Sequence, residues 1–184
     1  MLRKIALAFA MSSILFVSPL SFTYDMPVVE AEQQLSPEFR NEKIKPLLNS
    51  SLALYRNFKS FKQDTVGRSF DNMFRELSSL KEKNQALQQR AAEMNPTTSI
   101  EKELAIEMDA MLDSYDSCIS HMIRVFEQQQ ISQRYEGNDN AKFQEAINNR
   151  DAQLKKSRAE EVAYMHHKDR VVELGEFKPR NAKE

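Results

Sequence analysis

From residue 47 to residue 94 the chain carries no proline, and its apolar residues return every three or four positions. At about 100° per residue, Leu48, Leu52, Tyr55, Val66, Phe70, Met73, Leu77, Leu80, Leu87, Ala91 and Met94 fall on one face. Leu47, Leu54, Phe58 and Phe61 widen that face over its first half. The pattern predicts one long helix over 47–94. Its weak point is Asp64-Thr65-Val66-Gly67-Arg68-Ser69, where Gly67 costs about 1 kcal/mol relative to Ala and offers a hinge or a break. Phe70, Met73, Leu77, Leu80, Asn84, Leu87, Ala91 and Met94 also obey a heptad, with Asn84 at an a position. A buried Asn there fixes register and partner number, whereas an Asn at the rim meets water.

Asn95-Pro96-Thr97 ends this run, and Thr98-Ser99-Ile100-Glu101 reads as a capping box that opens a helix over 99–135. Leu104, Met108, Met111, Tyr115, Cys118, Met122 and Val125 form its seam, flanked by Leu112, Ile119 and Phe126. That helix should be about 55 Å long at about 1.5 Å per residue. Glu136-Gly137-Asn138-Asp139-Asn140 supplies a Gly for one helix end and Asx residues for the next start. The last helix, over 141–174, has a thin seam of Phe143, Ile147, Leu154, Met165 and Val172, on a face shared with Arg150, Arg158 and Glu161. So narrow a stripe buries little surface, at about 25 cal/mol per Å², and suggests either a loosely docked helix or a face completed by another chain. Tight connections favour antiparallel neighbours. The expected fold is all-α: an elongated antiparallel three-helix bundle (up-down-up), or four helices where the chain breaks near Gly67, coiled-coil-like in part.

Ahead of this domain, residues 1–31 carry Arg3 and Lys4, then an apolar run over 5–20, then Val29-Glu30-Ala31 before Glu32. This is the three-part layout of a secretory signal peptide, with an apolar core short for a spanning helix. The alternative is a retained anchor. Residues 32–46 form a lead-in in which Ser36-Pro37-Glu38 starts a short helix that Pro46 stops or kinks. Residues 175–184 read as a polar tail. The expected location is outside the cytoplasm, in a periplasm or secreted, and the style of the signal suggests a bacterium.

Removal of residues 1–31 leaves 184 − 31 = 153 residues, enough for one domain. The whole chain carries 26 Lys+Arg against 27 Asp+Glu, too near neutrality for a general nucleic-acid binder. Charge is nonetheless segregated: residues 38–90 hold 11 basic and 6 acidic groups, and residues 91–136 hold 3 and 9. A basic helix beside an acidic one suits an antiparallel pair, although each exposed ion pair is weak. Three glycines and no tryptophan, with abundant Glu, Gln, Lys, Leu and Ala, favour helix over sheet. A single cysteine, Cys118, excludes an intramolecular disulfide and leaves an intermolecular one open.

Few residues invite chemistry. Cys118, His121 and Met122, with Met108 and Met111 nearby, form a donor set that a soft ion such as Cu(I) or a haem prefers, although Met and Cys on an apolar stripe ordinarily pack a core. Adjacent His166-His167 point about 100° apart and chelate poorly. Asp109, Asp113 and Asp116 share one side of a helix, an ordinary solvated face. Glu-x-x-His pairs, His-Glu-x-x-His, Cys-x-x-Cys-His, Gly-x-Ser-x-Gly and phosphate loops are all missing from the sequence. Leu35-Ser36-Pro37-Glu38-Phe39-Arg40 resembles the Leu-Thr-x-x-Gln motif of small helical periplasmic stress chaperones, over six residues and with Phe39 in place of Gln; no residue roles carry over.

The expectation is therefore an exported, non-catalytic helical protein that needs no cofactor. It contacts another protein, or itself, through helix faces that include Asn84, Phe143, Ile147, Leu154, Met165 and Val172. Contact with a membrane is expected only in transit. The alternative function is an extracytoplasmic soft-metal- or haem-binding bundle using Cys118, His121 and Met122.

Overall fold

Local capping chemistry sets where each helical run begins. The computed structural model describes residues 34–177, so the expected export segment and most of the polar tail lie outside the described residues. Ser36 accepts the Phe39 amide on its side chain (3.2 Å) and the Arg40 amide on its carbonyl (3.0 Å), starting the chain into helix at Pro37. A wide π-helical turn, Phe39–Ile44, runs without a break into α1, Lys45–Gln63. Pro46 thus does not stop the lead-in. Its ring would crowd the carbonyl of Glu42 in a regular helix, and the wider turn just before it removes that conflict.

The single long helix expected over 47–94 is two helices. α1 ends at Gln63, and α2, Phe70–Ala92, starts afresh with Ser69 as its cap, accepting the Asn72 amide at 3.4 Å. Gly67 sits at φ 78°, the left-handed region that a side chain disfavours, and this is what lets the chain reverse. Among the described residues the fold is therefore all-helical with four helices, the arrangement expected where the chain breaks near Gly67. α3, Ser99–Tyr135, opens on the expected capping box of Thr98 and Glu101, and α4, Asn140–Leu174, opens on Asp139, which accepts the Lys142 amide at 3.1 Å. No helix among the described residues is long and apolar enough to cross a membrane.

α3 is the central element. Ser36 meets Glu101 and Leu54 meets Tyr115, so the first helical segment runs parallel to α3. α2 runs back along it, with Asn84 donating to the Leu112 carbonyl at 2.9 Å and Lys81 reaching Asp116 and Ser120. α4 is also antiparallel to α3: Arg170 pairs with Glu103, His167 with Glu107, and Ser157 with Cys118. Nearly all of the predicted α2 and α3 seams are buried, including Met73, Leu77, Leu80, Leu87, Leu104, Met108, Met111, Tyr115, Ile119 and Met122. Phe61 meets the edge of Phe126 at 5.8 Å, which places the α1–α2 turn beside Phe126; the α3–α4 hairpin continues past it.

α4 departs from expectation in its orientation. Its buried residues are Ala146, Ser157, Tyr164 and Val171, whereas Phe143, Ile147, Leu154 and Val172 are half-buried flanks and Met165 is 36% exposed. Ala146, Tyr164 and Val171 each precede a predicted seam residue by one position, a rotation of roughly 100°. The cause is close backbone approach. Ser157 Oγ donates to the Cys118 carbonyl at 3.2 Å while Cys118 Sγ donates to the Ser157 carbonyl at 3.3 Å. Small side chains on both helices permit this, and a Leu in the place of Ser157 would push them apart. Beyond α4 the chain folds back, with Phe177 half-buried under the Arg40 guanidinium. Gly175 is required there, because a side chain would strike the Phe177 ring.

Candidate functional site

Two polar clusters and one cleft stand apart from ordinary core packing. The first cluster ties the N-terminal segment to α3. The Glu101 carboxylate, on a residue only 1% exposed, accepts from the Ser36 hydroxyl (2.6 Å) and amide (3.2 Å). It also accepts from the Thr97 amide and hydroxyl (both 2.8 Å) and the Thr98 amide (3.3 Å). Burial opposes the charge, but the donors of Ser36, Thr97 and Thr98 outweigh it and hold the carboxyl down at about 2.

The second cluster fills the space between α1, α3 and α4. Tyr55 stacks on Tyr164 with ring centroids 4.6 Å apart, and Tyr115 lies 5.8 Å from Tyr164. Each phenol finds a partner: Tyr115 donates to the Leu54 carbonyl (2.8 Å), Tyr164 meets the Ser51 hydroxyl (3.1 Å), and Tyr55 donates to Glu161 (2.7 Å). Lys62 donates to the other Glu161 oxygen at 2.6 Å. Burial works against the Glu161 charge, yet Lys62 and Tyr55 together hold its carboxyl below the usual range. Burial, and secondarily Glu161, pushes the Tyr55 phenol up. These contacts hold α1 onto α3 and α4.

Below this cluster, where α1 ends, the bundle opens into a cleft of about 400 Å³. Its floor is Met122, Val125, Phe126 and Leu154, and Lys62, Thr65, Arg158 and Glu161 stand at its rim. A second cleft of about 510 Å³ continues around the α1–α2 turn past Val66, Phe70 and Met73, sharing Thr65 and Phe126 with the first. Leu154 and Met122, two residues singled out from the sequence, meet here.

The soft donors do not converge. Cys118 is 1% exposed and its sulfur is taken up by Ser157. Burial pushes its thiol up to about 11, against the opposing hydrogen bond from Ser157. The His121 ring hydrogen-bonds Gln153 at 2.8 Å on the half-buried edge of α3, and Met122 turns to the cleft. Among the described residues no three His, Cys, Asp or Glu side chains are grouped to hold a metal. His166 and His167 stand edge to face at 5.5 Å, with His167 bound to Glu107. Asn84 is fully buried between α2 and α3, and its Oδ1 has no hydrogen-bond partner among the described residues.

Sequence reasoning missed the Ser51–Tyr164 and Tyr55–Glu161–Lys62 links and the exposure of Val66. The seven-residue recurrence of Ser157, Tyr164 and Val171 was the available signal for the true α4 face, obscured by the larger side chains beside it. No protein-family model, curated protein or solved structure matches this chain.

Proposed function

We propose that this is an exported helical protein that works through contact of its helix faces with another protein or a second copy of itself, without carrying out a reaction. The observation that supports this reading most is the apolar flank of α4. Phe143, Ile147 and Leu154 remain half-buried because α1 ends at Gln63 and nothing among the described residues lies over them completely. The signal-like residues 1–31 support export. The buried Glu101 carboxylate, Tyr115 phenol and Cys118 thiol each find a hydrogen-bond partner on another segment of the chain, which is how polar groups serve a scaffold. A soft-metal or haem role for Cys118, His121 and Met122 draws no comparable support, since their partners face different ways.

The test is the double substitution Leu154→Glu with Met165→Glu, followed by cross-linking in the producing cell and light scattering on the purified protein. The reading expects unchanged helix content and loss of the complexes that the unsubstituted chain forms. Retention of every association by a folded double variant would rule this face out.

A further inference from the structure

The first and last described residues meet at one end of the bundle. The Arg40 guanidinium, in the π-helical turn, donates to the Glu176 carbonyl at 2.8 Å and lies 5.5 Å from the centre of the Phe177 ring. The Glu176 carboxylate comes no nearer to it than 3.9 Å, so the carbonyl and the ring carry this contact. Residues 175–177 are shaped for it. The Gly175, Glu176 and Phe177 amides return to the Val171, Glu173 and Val172 carbonyls, and Glu176 holds φ 49°. It is the one non-glycine residue at positive φ among the described residues, a conformation that persists only where surrounding contacts hold it.

The helical ladder changes where residues 34–44 join α1. The wide turn Phe39–Ile44 closes on a bond from the Lys45 amide to the Arg40 carbonyl, and Pro46 has no amide to carry the ladder onward. Across the bundle the segment is held by Ser36 on Glu101, by Phe39 and Ile44 in the core, and by Arg40 on the C-terminal turn.

We propose that residues 175–177 are a latch on residues 34–44. Release of the turn from Arg40 lets the N-terminal segment open as one unit about the Lys45-Pro46 junction while the four helices stay folded. Whatever draws the turn away thereby presents Phe39 and Ile44, which the closed form buries.

Amide exchange in the full chain, followed peptide by peptide by mass spectrometry, tests it. Arg40→Ser and Phe177→Ser should each speed exchange over residues 38–45 by about tenfold or more, the worth of a hydrogen bond to a charged group or of a cation–π contact. In the Arg40→Ser background, Phe177→Ser should add little. Gly175→Ala should act like Phe177→Ser without removing any group that meets Arg40, because its methyl displaces the Phe177 ring. Glu176→Gly keeps the carbonyl and relieves the backbone, so exchange should stay as slow as in the natural chain or become slower. In every variant residues 47–63 and 104–126 should exchange as in the natural chain. Unchanged exchange over 38–45 in Phe177→Ser and Gly175→Ala overturns the latch, as does a full additional effect of Phe177→Ser once Arg40 is gone. A rise shared equally by residues 47–63 overturns it too, since the segment would then belong to the same unfolding unit as α1.

Discussion

Replacement of Glu101 by Gln tests how the N-terminal segment is held to the bundle. The carboxylate takes five hydrogen bonds from Ser36, Thr97 and Thr98, and its residue is 1% exposed. Gln keeps the shape but turns one acceptor oxygen into a donor, so at least two of those donors face an NH₂ group. The drop from an ordinary 4.5 to about 2 sets an upper bound of about 3.5 kcal/mol, at about 1.4 kcal/mol per tenfold change in proton affinity. Water at the open end of the bundle screens part of it, so about 2 kcal/mol should survive. The sign follows from the direction: a carboxyl held down in the folded state stabilises above its unfolded value and loses that contribution as pH falls. Urea unfolding at pH 7 should show Glu101→Gln less stable by about 2 kcal/mol. The gap should narrow between pH 4.5 and about 2, as the natural chain takes up its proton on unfolding. Equal stability at pH 7, or a gap that stays constant down to pH 2.5, would refute the account.

Two further outcomes follow from buried groups. Asn84 donates to the Leu112 carbonyl from a fully buried position, so Asn84→Asp sets a carboxylate against a carbonyl oxygen. It should cost about 3 kcal/mol or more near neutral pH, with partial recovery in acid, read by thermal unfolding at both pH values. Cys118 is buried, its thiol is pushed up to about 11, and its sulfur is engaged by Ser157. It should therefore resist a disulfide reagent at pH 8 in the folded protein and react fully in denaturant; rapid labelling of the native chain would place the thiol at the surface.

The end of α2 and the starts of α3 and α4 were legible in the residues, because capping is local chemistry. Thr98 with Glu101, Asp139 before α4, Pro96 and Gly137 act on backbone groups within a few positions of themselves. The all-helical class and the seams of α2 and α3 followed from apolar periodicity alone, since large side chains recurring at helical spacing leave one face to bury. The break at Gly67 was visible only as a weak point. Whether a helix bends or reverses there depends on what the two halves pack against, and α1 finds its place over Tyr115 and Tyr164.

The orientation of α4 was decided by tertiary structure, against the stronger of two signals in its sequence. Its sequence offers a larger apolar stripe at Ile147, Leu154 and Met165, yet Ala146, Ser157 and Tyr164 face α3. Hydropathy counts the area a side chain can bury, while close contact between two helices depends on how near their backbones can come. The exchange of hydrogen bonds between Cys118 and Ser157 shows the second requirement prevailing. Glu101 makes the same point: residues 97 and 98 are within its local reach, but only folding brings Ser36 from 65 positions away to complete its set of donors.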